Sequence, residues 1–155
     1  MADLHIEDFY RDVAGIWLHL YSSFPRKVIL YVEDISGPDD PDEFGLHHPR
    51  FDACFSAMIW LAEQNYLRFD DVIGREALDQ AVLTQKSFLL LSSRSSLAAD
   101  AQTQPVVPPS VEEEMHSNVA QLRNAVHSAS SIHIRRCVRY LLGQAELMGR
   151  VEAVP

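Results

Sequence analysis

Positive charge is what this 155-residue chain has too little of: 13 Lys and Arg stand against 22 Asp and Glu, a net charge of −9. A surface that grips nucleic acid gains affinity by neutralising phosphates with Lys and Arg, so this balance weighs against such a partner. Long apolar runs are also absent. None approaches the roughly 18 residues that suggest a membrane span, and Met1-Ala2-Asp3-Leu4-His5 lacks the basic-then-apolar pattern of a signal peptide. There are only two cysteines, Cys54 and Cys137, far apart and each within a helical pattern. Reduced, buried thiols and a cytoplasmic location are therefore expected. No Gly-rich phosphate loop and no Gly-x-Ser-x-Gly elbow is present, so no enzyme is expected. Paired-His helices, Cys-x-x-Cys and calcium-loop spacing are lacking too, so no metal or other cofactor and no small-molecule substrate is expected.

The charge is unevenly placed. Through Ser92 there are seven basic residues against sixteen acidic, a net of −9; from Ser93 onward six balance six. The acidic excess therefore sits on the part of the chain whose hydrophobic pattern is richest. There, Ile6 to Phe24 carries Ile6, Phe9, Tyr10, Val13, Ile16, Trp17, Leu20 and Phe24 at helical spacing, with Asp8, Arg11 and Asp12 on the opposite side. Pro25 ends that helix. Lys27 to Ile35 reads as a strand, and Gly37 to His48 as a breaker-rich acidic loop. Pro49 suits the first turn of a second helix running to Gln64, which buries Phe51, Cys54, Phe55, Met58, Leu61 and Ala62. Asn65 suits a left-handed helix end. Tyr66 to Phe69 is a short strand, Asp70 to Glu76 a loop pivoting on Gly74, and Leu78 to Leu83 a return strand. Thr84 caps a helix through Leu91.

This order leads to a motif. Trp60, Leu61, Tyr66, Leu67 and Phe69, followed by Leu83, Thr84 and Lys86, resemble the back half of winged helix-turn-helix domains of bacterial regulators. Asn65 and Ser87 stand where those domains usually have glycine. The resemblance covers about residues 50–92 and implies a DNA-binding fold in which the helix from Arg50 to Gln64 reads a major groove. Base readout needs Arg, Lys, Asn or Gln on the exposed face, and that helix offers Arg50, Asp52, Ser56, Glu63 and Gln64. The wing brings Arg68 and Arg75 among Asp70, Asp71 and Glu76. This is thin equipment for DNA, and a protein-binding use of the same scaffold is the preferred expectation.

Residues 93–109 read as a Ser/Pro-rich linker and 110–155 as a helical hairpin. Ser110 with Glu113 makes a capping box. The first helix carries the apolar seam Val111, Met115, Val119, Leu122 and Val126, and after Ser128-Ala129-Ser130-Ser131 the second carries Ile134, Val138, Leu141, Leu142, Ala145 and Met148. A seam on a tethered helix must be covered, by its own domain or a second chain. Self-association through Val111, Met115, Val119, Leu122, Val126, Val138, Leu141 and Leu142 is the expectation, making a homo-oligomer with a protein partner. Should DNA be the partner instead, Arg50, Arg68, Arg75, Lys86, Arg135, Arg136 and Arg139 are its candidate contacts. The fold expected overall is α+β and mainly helical: a winged-helix domain over 1–92 with a C-terminal helical hairpin.

Overall fold

A computed structural model describes residues 3–96 and 115–152. Its elements are α1 (Leu4–Ser23), β1 (Val28–Tyr31), α2 (Val32–Ser36), α3 (Pro49–Glu63), β2 (Leu67–Arg68), β3 (Asp71–Ile73), β4 (Ala77–Leu83) and α4 (Gln85–Ser92), then α5 (Asn118–His127) and α6 (Ser131–Glu152). The fold is α+β and mainly helical, with a small antiparallel sheet and a C-terminal helical pair. No helix among the described residues is long and apolar enough to cross a membrane.

α1 is the hub. It packs against α3, β4, α5 and α6, so Val13, Ala14, Ile16, Trp17 and Leu20 are almost wholly buried. Neighbours on several sides bury more than one stripe of a helix. Asp12, expected on the solvent side, is therefore only 1% exposed. Trp17, Met58, Leu61, Leu78, Leu91, Leu122, Val138 and Leu141 belong to one continuous hydrophobic core, which runs from α1 through the sheet into the helical pair.

The strand expected over Lys27–Ile35 stops at Tyr31, where the chain turns into the five-residue helix α2. Val32, Ile35 and Ser36 have helical spacing, with Val32 buried, and Gly37 (φ 94°) ends the turn by donating its N–H to the Glu33 carbonyl at 3.0 Å. The preceding β-branched run masked that switch. Helix α3 starts at Pro49 and ends before Asn65, whose φ of 65° supplies the left-handed exit.

The loop expected over Asp70–Glu76 contains β3. Leu67 faces Leu83 and Asp71 faces Asp79, four residues further along each strand, so β2 and β3 form one hairpin with β4. It is interrupted opposite Gln80, whose positive φ (56°) coincides with the register shift between β1 and β4. Gly74 (φ 56°) then makes the tip.

The capping box at Ser110 and the residue Val111 lie outside the described residues. The helix expected through Val126 does not run unbroken: Ser117 is extended, forms a bridge with Arg94, and caps α5 by accepting from the Ala120 N–H at 3.2 Å. Asn118 reinforces this junction, its side chain donating to the Leu90 carbonyl at 2.7 Å. On the far side, Ser96 and Tyr140 share a 2.7 Å hydroxyl contact. These bonds fasten the helical pair to α4.

Candidate interaction surfaces

Trp60 and Tyr66, which carry the sequence motif, work inside the fold. Phe9 meets Trp60 edge-on at 5.2 Å, Trp60 stacks on Tyr66 at 6.2 Å, and Tyr66 meets Trp17 at 5.6 Å. This aromatic row locks α1, α3 and β2 together. Thr84 caps α4 and donates its hydroxyl to the Asn65 carbonyl at 2.7 Å, while the Ser87 hydroxyl donates to the Tyr66 carbonyl at 2.5 Å. Ser87 thus ties α4 to the turn after α3.

The cations of the helix-and-hairpin face are largely engaged. Arg50 makes two bonds to the buried Asp12, at 2.7 and 2.5 Å, and lies 3.7 Å from Asp8. Burial pushes the Asp12 carboxyl up, and the Arg50 guanidinium opposes that rise. The hydrogen bond that Arg50 donates to Asp12 raises Arg50 in turn. A buried carboxylate needs this cation, so Arg50 clamps α1 to α3. Arg75 reaches back from the tip to Asp52 at 3.6 Å and lies over the Phe55 ring at 5.5 Å. Lys86 donates to the Gln64 carbonyl at 2.9 Å and sits 4.0 Å from the centre of the Tyr66 ring, capping the end of α3; burial lowers its pKa. Arg68 is exposed and makes no ion pair among the described residues.

The outer sheet face was not foreseen. Tyr31, Ala77 and Ile73 are directly opposed across three strands, and Asp71 faces Asp79 one step further along. Directly opposed residues share a face, as do alternate residues of a strand. Tyr31 and Ile73, each 42% exposed, and Ile29 at 38% therefore lie beside paired carboxylates. Alternation in Ile29-Leu30-Tyr31 is the signal that could have revealed it, but reading Asp70–Glu76 as a loop removed the opposite strand.

The expected self-association seam is mostly internal. Val119, Leu122, Val138 and Leu141 are at most 3% exposed, covered by this chain's own α1 and α4. A second chain is not needed to cover them, and they are not presented to one. Met115 (41%) and Val126 (37%) remain part-exposed and Leu142 half-buried. Arg135, Arg136 and Arg139 stand exposed on α6 with no acidic partner among the described residues.

The acidic loop binds itself. Asp39 contacts the His47 ring at 2.5 Å and accepts from the His48 N–H at 2.9 Å, while Asp42 accepts from the N–H groups of Phe44 and Leu46, both at 2.9 Å. The hydrogen bond to Asp39 raises His47. At Asp39 slight burial works upward, but the bonds from His47 and His48 outweigh it and hold its pKa below the usual value. No group of three metal-ligating side chains is found among the described residues. Cys54 and Cys137 are buried, which pushes their thiols up to about 12 and about 11. Thiols that remain protonated are poor nucleophiles.

No family model matches this chain, and no curated protein or solved structure is significantly similar to it.

Proposed function

We propose that this chain is a non-enzymatic, cytoplasmic regulatory module of winged-helix type, whose helix-and-wing face contacts a polypeptide and not DNA. The element order from α1 to α4, the strand order β1-β4-β2 and the hairpin after α3 support the winged-helix reading. One observation carries the choice of partner: Arg50, Arg75 and Lys86 are engaged within the chain, while the outer sheet face presents apolar side chains among carboxylates. Phosphates would meet Asp70, Asp71 and Glu76 there and gain little counterion release. A partner of opposite character, with apolar anchors ringed by Lys or Arg, fits that face.

A photo-crosslinking residue in place of Ile73, in cells, tests the reading. Adducts to polypeptide are expected, and they should be lost when Tyr31 and Ile29 are changed to Asp. Adducts to DNA, or retention of duplex DNA that Arg68→Gln abolishes at low salt, would overturn it.

A further inference from the structure

An open cavity of about 380 Å³ lies between the helices of the C-terminal pair. Its polar lining consists of Gln121, Asn124, Ser128, His133 and Arg136, with Ala125 and Cys137 as the apolar part. Among the described residues no carboxylate lines it. We propose that this cavity binds the phosphate group of a small anionic metabolite. The inference does not depend on the winged-helix reading.

The donor count supports phosphate. The side chains of Arg136, His133 and Asn124 have no hydrogen-bond or ion-pair partner among the described residues, and Gln121 uses its amide only in a long 3.4 Å contact to the Met115 carbonyl. Ser128 is already engaged, donating to the Ala125 carbonyl at 2.7 Å. Four side chains thus retain N–H capacity toward one space. Arginine and amide donors suit an oxyanion, and the guanidinium fork matches two phosphate oxygens at once. A carboxylate has two oxygens to offer and a terminal phosphate three, so phosphate satisfies more of these donors. His133 lies in the first turn of α6, a 22-residue helix whose positive end adds to the same field. The volume exceeds that of phosphate alone and falls in the range of small-molecule sites.

Titration of the ¹⁵N-labelled full chain with inorganic phosphate, glycerol phosphate, citrate and a short DNA duplex tests this. Saturable shifts at Asn124, His133 and Arg136 are expected with both phosphates, tighter for glycerol phosphate and weakest for citrate. Arg136→Gln should weaken glycerol phosphate binding about tenfold or more, the usual effect of losing a charged hydrogen bond. Arg139→Gln removes the same charge one turn away, outside the cavity lining, and should leave binding within about twofold, as screening of a more distant charge implies. No saturable shift, citrate binding as tight as phosphate, or equal losses in the two variants would overturn the proposal. So would preferential binding of the duplex, which would move the site's purpose to nucleic acid.

Discussion

Residues 3–96 hold eight basic side chains against sixteen acidic, and residues 115–152 hold five against two. The two regions share one core, yet three cations around α3 and three on α6 are used in opposite ways. In the first, Arg50, Arg75 and Lys86 bind a carboxylate, a second carboxylate and a helix-end carbonyl. In the second, Arg135, Arg136 and Arg139 have no acidic partner among the described residues. The balance of six against six from Ser93 onward concealed this, because Asp100 and Glu112 to Glu114 fall between the regions and cancel a basic helical pair. A cation therefore has to be located and its partners counted before it is assigned to a ligand.

The largest effect should come from breaking the shared core. Leu141→Ala or Leu122→Ala removes a fully buried side chain where the pair meets α1 and α4, and is expected to destabilise the chain by about 2–5 kcal/mol. Urea unfolding followed by tryptophan fluorescence and by far-UV circular dichroism should shift in one common transition. Separate transitions would mean that the helical pair is an independent unit. Next in size, Arg50→Met leaves Asp12 buried without its cation, for a loss of about 3 kcal/mol near neutral pH. Because the folded-state pKa of Asp12 is raised, its favourable protonated form is present at low pH and lost as pH rises through that value. The deficit of the variant should accordingly shrink on acidification, measured by denaturation at several pH values. Lys86→Met removes one charged hydrogen bond and one ring contact from the end of α3, for about 1 kcal/mol by the same assay.

The smallest expected effect is confined to the acidic loop. His47 is raised, so its contribution is complete below its unfolded value of 6.5 and is lost as pH rises through the folded one. Asp39 is lowered, so its contribution is complete above 3.8 and is lost as pH falls through the folded value. Amide exchange at His48 should be slowest between these limits and faster on either side. Exchange unaffected by pH beyond the intrinsic rate would contradict the pairing.

Much of the helical framework was legible because it depends on local rules. The stripe from Phe9 to Leu20, Pro49 at a first turn, Asn65 as a left-handed exit and Thr84 as a cap were all readable from the sequence and occupy the expected places, although Ile6 at the start of the stripe is exposed. What failed depended on distant partners. Asp12 looked exposed because the sequence does not reveal that α1 is surrounded, and Arg50 looked available because Asp12 lies 38 residues away. β3 looked like a loop because Asp70, Asp71 and Gly74 closely bracket its two strand-forming residues, Val72 and Ile73, and its pairing with β4 is not local. The break at Ser117 arises from its bridge to Arg94, across a segment of chain that gives no local sign of it. Of the candidate surfaces, the α6 arginines were legible, whereas the outer sheet face and the cavity between α5 and α6 needed tertiary pairing to be seen.

Arginine availability is the point on which the comparison stands, and residue-specific modification measures it directly. Phenylglyoxal treatment of the folded chain, followed by peptide mass spectrometry over time, should label Arg135, Arg136 and Arg139 quickly and leave Arg50 protected until the protein unfolds. Labelling of Arg50 as fast as Arg139 in the native state would contradict the account, since it would return that cation to the surface facing any ligand.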